Sequence, residues 1–410
     1  MAAPGTELVA VPAPTWQTAA VPETPTLLVK FAEAGGAYLT WRWIHDDGPG
    51  PFAGMAQVSA AQVDAVRDTL ARAVPDTLPG ESVADGIDRA LLRGPFSHPE
   101  STATLARDLG QVLLSADLVT ALRQAPARPL LRIQPSESLT RVPWEMLLVD
   151  DATTLDDLAD VTSSAPSGVP RHRVDGNPDG PVVAVIDPRI PGQSVASALG
   201  SVLGRPADDS PLAVLVENTP GLRPAVAGYR DLARRTDIDR EWLCRTMTGA
   251  FRLLYVGHVS AAAATGESVD AALHLCCTDD SGAHRPLRVD DLLTGDYRFP
   301  PRTALIGCNS GGDLAHPDGM GLSMAALAAG AQLVTATRWA VPTNRALSRA
   351  GDLGDRAPLE ELVLAVDAAH RGADPVGHLR QWQAERRARW YDGGLPADTP
   401  LLWAALTTTI

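Results

Sequence analysis

From about residue 130 onward the sequence alternates short apolar runs with amphipathic stretches, and that alternation leaves few folds open. The runs "PLLRIQP", "PVVAVID", "LAVLVE", "FRLLYVGH", "ALHLCC", "TALIGC" and "QLVTATRW" read as strands. Between and after them, helices are expected near 192–204, 224–250, 359–371 and 374–390, with shorter ones at "VDDLL" and "GMGLSMAALAAG". Strands that are apolar along their whole length are buried on both faces. They belong to a mostly parallel sheet with helices on each side. The expected class is therefore α/β, a three-layer sandwich with a mostly parallel central sheet flanked by helices.

Upstream the pattern differs. "TLLVKFAEAGGAYLTWRWI" reads as a hairpin turning at Gly35-Gly36. Residues 60–75 and 101–125 space their apolar side chains as helices do, with Val63, Val66 and Leu70 in the first and Leu105, Leu109, Leu113 and Leu114 in the second. The length of 410 residues allows two domains. The expected organisation is a disordered Pro/Ala-rich tail over 1–24, an N-terminal hairpin and helical lobe over 25–128, and the α/β domain over 129–410. The lobe reads equally as an extension of the sheet, an inactive half of the fold, or a partner-docking unit.

Composition narrows the function classes. The formal charge of −14 argues against nucleic acid or an anionic membrane as partner and leaves room for basic protein substrates. The start, "MAAPGTELVAVPAPTWQ", lacks a basic region and an unbroken apolar core, so no secretory signal is expected. The longest apolar windows are broken by Gly and polar residues, so no membrane span is expected either. Four cysteines (Cys244, Cys276, Cys277, Cys308) are too few for a disulfide scaffold in a chain this long, and a reducing cytoplasm is the expected location.

Two strands end on reactive side chains: "RLLYVGH" on His258 and "TALIGC" on Cys308, fifty positions apart. In open α/β sheets ligands bind beyond the carboxyl ends of the strands. If these two strands are parallel neighbours, imidazole and thiol emerge at one edge. Cysteine-dependent acyl transfer needs a thiol, an imidazole and oxyanion donors; the Cys308 backbone N–H supplies one donor. The competing reading is a small buried cysteine beside a satisfied histidine. A phosphatase loop would need Arg six positions after the cysteine, where Leu314 stands. A nucleophile elbow would need Gly two positions before it, whereas Gly307 directly precedes it. His274, Cys276, Cys277 and His284 lack zinc-ligand spacing, and no glycine-rich phosphate loop is present, so no metal or cofactor is expected.

"FRLLYVGHVS" and "RTALIGCNSG", with "LLRIQPSESLTRVPWEMLLVDD", "PVVAVIDPR" and "GLSMAALAAGAQLVTATRWAVPTN", together resemble the CHAT domain, a bacterial caspase-like family of clan CD cysteine peptidases related to separase. The resemblance covers roughly 110–410. It implies a caspase-like fold over the α/β domain and a cysteine endopeptidase with a Cys-His dyad. Its substrate would be a protein or peptide, within a regulated defence, stress or cell-death pathway and under a regulatory protein partner. Carried over residue by residue, Cys308 is the nucleophile and His258 the general acid/base. The backbone N–H groups of Cys308 and Val259 are the oxyanion donors, with Val259 standing where the family commonly has Gly. Asp313 and Asp318 are candidates for receiving a basic side chain of the substrate, and the Arg171–Arg173 loop is a candidate self-processing site. The rival is a catalytically silent relative that keeps the fold as a binding or scaffold module.

Overall fold

The computed structural model describes residues 24–44, 52–172, 176–194, 197–262, 267–312, 315 and 319–410. The expected tail over 1–24 lies almost wholly outside the described residues, as does Arg173.

The N-terminal segment is a meander of β1 (Thr26–Glu33), β2 (Gly36–Trp43) and β3 (Ala53–Ser59). The β1–β2 turn falls at Gly35 and Gly36, both at positive φ (67° and 150°), a region open to glycine at little cost. Four helices follow: α1 (Ala60–Ala73), α2 (Val83–Leu92), α3 (Pro99–Leu113) and α4 (Ala116–Arg123). The first two begin with reciprocal capping boxes, Ser59 with Gln62 and Ser82 with Asp85. The remaining strands are β4 (Leu130–Gln134), β5 (Asp160–Ser163), β6 (Val182–Ile186), β7 (Leu222–Arg223), β8 (Arg252–Val256), β9 (Val259–Ser260), β10 (Ala272–Leu273), β11 (Leu287–Arg288), β12 (Arg302–Ile306), β13 (Leu333–Thr337) and β14 (Leu406–Thr409).

Eleven strands form one sheet in the order β3-β2-β1-β4-β5-β14-β13-β12-β8-β6-β7, and β9, β10 and β11 form a separate antiparallel ribbon. Within the large sheet only β1·β2, β2·β3 and β13·β14 are antiparallel. The sheet is thus mostly parallel, reversing direction within the N-terminal meander and again between β13 and β14. The N-terminal hairpin extends this same sheet, because β1 pairs in parallel with β4.

Side chains alternate across the sheet as a strand's period of two requires. Ala184 and Ile186, Leu254 and Val256, and Ala304 and Ile306 face a core shared with the N-terminal strands, α1–α4 and the helix Pro358–Arg371. Val183 and Val185, Leu253 and Tyr255, and Leu305 face the other core, covered by the helices Arg240–Met247, Val289–Thr294 and Leu322–Ala328. Among the described residues no helix is long and apolar enough to cross a membrane.

Several local expectations change. "LAVLVE" is helical: a 3-10 turn at Pro211–Ala213 runs into the helix Val214–Glu217. Ser210 Oγ accepts the Leu212 N–H at 3.3 Å and Pro211 fills the first helical position, so a helix start overrides a β-branched run. The described residues of 192–204 form turns instead of a helix, because the Asp187 carboxylate draws in Ser201 Oγ and accepts from Val202 N–H at 3.2 Å. The stretch 224–250 divides into Tyr229–Leu232 and Arg240–Met247, the latter restarted by Asp239, whose carboxylate accepts from Trp242 N–H at 2.7 Å. Only Ala272 and Leu273 of "ALHLCC" pair as strand.

Candidate functional site

β8 and β12 are parallel neighbours, with Val256 opposite Ile306. Each continues through a glycine into its reactive residue, so His258 and Cys308 leave the sheet at the same edge and at the same offset. Both are half-buried, and both line a cavity of about 240 Å³ on the face shared with the N-terminal helices.

Both glycines are sterically required. A Cβ on Gly307 would lie 2.5 Å from Val259 Cγ2 and 2.7 Å from the Gly257 carbonyl. A Cβ on Gly257 would lie 2.9 Å from the Tyr255 hydroxyl. Gly307→Ala is therefore expected to displace the strand end that carries Cys308. A misplacement near 1 Å lowers kcat/KM on the order of 10²-fold. Steady-state kinetics of this variant, with circular dichroism to confirm folding, checks it; unchanged kinetics would mean that the strand end tolerates movement.

The turn after Cys308 is tied to β13 and its exit. Asn309 adopts φ 55°, a left-handed conformation that asparagine tolerates better than most residues. Its N–H donates to the Trp339 carbonyl at 3.1 Å, and Gly311 N–H donates to the Thr337 carbonyl at 2.9 Å. Ser310 Oγ donates back to the Leu305 carbonyl at 2.5 Å and accepts from Thr337 N–H at 3.0 Å. Four residues of "CNSGG" are thereby turned off the sheet beside the cavity that Cys308 lines.

His258 is held from a turn in the segment that follows β6. Its Nε2 lies 3.0 Å from the Gly200 carbonyl. A carbonyl only accepts, so Nε2 carries the proton and Nδ1 is the basic nitrogen. The Gly200 carbonyl also accepts from Arg234 Nη1 at 3.1 Å, and Arg234 pairs with the buried Asp187 at 3.3 Å. Asp187 stands at the end of β6, the strand beside β8, and holds the 200–202 turn through Ser201 and Val202. Three adjacent strand ends thus supply the thiol, the imidazole and the carboxylate behind the imidazole's partner. Sequence reasoning missed Gly200 and Asp187; the Asp that closes the apolar run "PVVAVID" was the available signal.

Val259 is buried, begins the ribbon and pairs with Leu273, while His274 N–H donates to the His258 carbonyl at 3.1 Å. In that antiparallel register Val259 and Leu273 are a non-hydrogen-bonded pair, so the Val259 N–H points away from β10. Asp313 and Asp318 both lie outside the described residues.

The electrostatics are those of two neutral groups. Burial, then the nearby Asp76 carboxylate, push the Cys308 thiol up to about 11, against the smaller opposing effect of the Val341 and Cys308 backbone N–H groups. Burial holds the His258 imidazole below its usual value, outweighing the Gly200 carbonyl and Asp187, which favour its charged form. A chain of imidazoles stiffens the neighbouring ribbon: Ser260 Oγ lies 2.6 Å from His274 Nε2, and His274 Nδ1 lies 3.0 Å from His284 Nε2. Burial lowers His274 to about 4, which leaves it neutral near pH 7.

The cavity's other walls come from distant sequence. Pro75, Val83 and Ile87 belong to the N-terminal segment, Ala340–Thr343 follow β13, and Leu359 stands in the helix Pro358–Arg371.

Comparison with known proteins returns the same family that the sequence resembles. Among solved structures, the chain is similar to a chain of the Saccharomyces cerevisiae separase–securin complex, at 10% identity and a TM-score of 0.48, covering 94% of this chain and 30% of that one. A second structure of that complex matches at 13% identity and a TM-score of 0.35, over 86% of this chain and 23% of that one. The protein thus spans less than a third of the length of these structures. No curated protein matches the sequence. The sequence profile of the CHAT domain matches residues 103–349, more than half of the chain. The chain belongs to the CHAT domain family.

Proposed function

We propose that the protein is a cysteine endopeptidase in which Cys308 is the nucleophile and His258 the general acid/base. The single observation that carries this reading is the in-register pairing of β8 and β12, which brings the two side chains to the wall of one cavity. Cys308 Sγ attacks the scissile carbonyl while its proton passes to His258. The Cys308 and Val259 N–H groups take the developing oxyanion. His258 then returns the proton to the leaving amine, and the C–N bond breaks to leave a thioester. A water molecule, deprotonated by His258, attacks the thioester and frees Cys308 with its proton restored. The substrate is a protein or peptide. A regulatory protein partner, a bacterial cytoplasmic setting and the division of the chain near residue 128 belong to the same proposal.

The resting charge states give this reading a distinct pH dependence. With the thiol pushed up to about 11 and the imidazole held low, the dyad rests as neutral thiol and neutral imidazole, not as a preformed ion pair. The base form of His258 is therefore full above its lowered pKa. Turnover is expected to be level through neutral pH and lost only as pH falls below about 6.5, the usual imidazole value. Iodoacetamide reacts with thiolate, so the alkylation rate of Cys308 should still climb between pH 8 and pH 10. A labelling rate already level at pH 7 would mean a preformed thiolate and contradict the neutral pair.

The high thiol pKa also favours a second reading, a catalytically silent CHAT domain that binds protein partners. Turnover separates the two: peptide cleavage that is lost in His258→Ala supports the peptidase, whereas no cleavage by the wild type supports the silent module.

A further inference from the structure

The cavity that contains Cys308 and His258 has a chemistry that the proposed reaction does not dictate. Its described walls are aliphatic: Pro75, Val83 and Ile87 from the N-terminal segment face Val202, Val341 and Leu359 from the α/β core. The polar groups among these walls are already engaged. The single Ser201 hydroxyl proton is shared between the Asp187 carboxylate and the Gly204 carbonyl, the latter at 2.6 Å. Thr343 Oγ1 caps the following helix by accepting from Ala346 N–H at 3.3 Å. His258 Nε2 is spent on Gly200. The carboxylate that Cys308 senses, Asp76, is held by Ala340 N–H at 3.0 Å and by Arg141 at 2.8 Å, and it is not on the wall. Among the described residues a charged substrate side chain entering here would shed its water and meet no carboxylate, lysine or arginine on the wall, whereas an aliphatic one exchanges water for hydrocarbon. Val83 is 64% exposed, an aliphatic side chain left open at the mouth.

Resting on the peptidase reading, we infer that the protein cleaves after an aliphatic residue, whose side chain fills this cavity between the N-terminal helices and the catalytic strands. The assignment to the acyl side follows from geometry. When the scissile carbon is bonded to Cys308 Sγ, the side chain on the adjoining carbon is the one beside a cavity that Cys308 lines. The N-terminal segment is then part of the substrate site as well as of the sheet.

The test uses the full chain and the peptides acetyl-Ala-Ala-Ala-X-aminomethylcoumarin, with Leu, Met, Val, Arg, Lys or Asp as X. Leu, Met or Val should exceed Arg, Lys and Asp in kcat/KM on the order of 10²-fold or more. Val83→Asp, at the first position of α2 where an acidic side chain suits the helix, should raise the relative kcat/KM for Arg about tenfold. A second readout needs no turnover: acetyl-Ala-Ala-Ala-Leu-amide should slow alkylation of Cys308 by iodoacetamide, and the Arg peptide should not. Protection by the Leu peptide without cleavage of any substrate would keep the aliphatic site and remove the peptidase reading. Preference for Arg or Asp in either assay would overturn the aliphatic site while leaving the peptidase intact; an Arg preference would point back to Asp313 and Asp318. Equal protection by all peptides, or by none, overturns the inference as well.

Discussion

Cys308→Ala is expected to lower peptide cleavage roughly 10⁴-fold or more while the protein still folds, since nucleophile and base act as one unit in such sites. Cys308 is half-buried and its turn is held by backbone and Ser310 hydrogen bonds that alanine leaves in place. His258→Ala should bring a loss of similar size, because without the imidazole nothing takes the proton of a thiol whose pKa is about 11. The double variant should be scarcely worse than either single one. Kinetics of the three variants against wild type, with matched unfolding curves, decide it. Activity equal to wild type in all three would remove the dyad; losses that multiply would mean that the two groups act in separate steps.

The second large effect concerns stability. Arg338 and Glu145 form an ion pair at 2.7 Å with side chains 3% and 7% exposed. Arg338 also donates to the carbonyls of Ala404 at 3.0 Å and Leu406 at 2.5 Å, so it joins the exit of β13 to β14 and to the "PWE" turn. Glu145→Ala would leave a guanidinium buried with no countercharge, which costs about 3–5 kcal/mol in comparable buried pairs. Replacing both partners by apolar residues, Glu145→Leu with Arg338→Met, should recover most of that loss. Urea unfolding of the three proteins measures it. A single variant as stable as wild type would mean that water reaches the pair. Arg338 immediately precedes Trp339, whose carbonyl holds Asn309, and stands three residues before Val341, which lines the cavity, so Glu145→Ala should also slow catalysis.

The parts of this site that could be read from the sequence are those encoded by local pattern. Apolar runs ending in Gly257-His258 and Gly307-Cys308 announce strand ends, and their equal spacing from the runs anticipates the register Val256–Ile306. The α/β class follows from the same runs. The losses have physical causes. Val214–Glu217 is β-branched and apolar, and a run that short suits strand or helix alike until the Ser210-Pro211 start is weighed. The turns at 197–204 depend on a carboxylate on another strand. Pro75, Val83 and Ile87 reach Cys308 only through tertiary packing across more than two hundred positions, and no local pattern encodes that. The pairing of Glu145 with Arg338 is hidden for the same reason.

The sheet reverses direction between β13 and β14, and β14, the last strand in sequence, lies at the centre of the sheet. During synthesis, then, the strands that carry the dyad and those of the N-terminal segment emerge as two half-sheets, each with an open inner edge. Residues 406–409 are the bridge between them. A chain halted before that bridge exposes two unpaired edges, the feature that drives edge-to-edge aggregation. Its candidate site would also lack the fixed relation between the N-terminal wall of the cavity and Cys308. The join between the two halves of the sheet thus rests on four residues, and their loss would free the edges of β5 and β13 together.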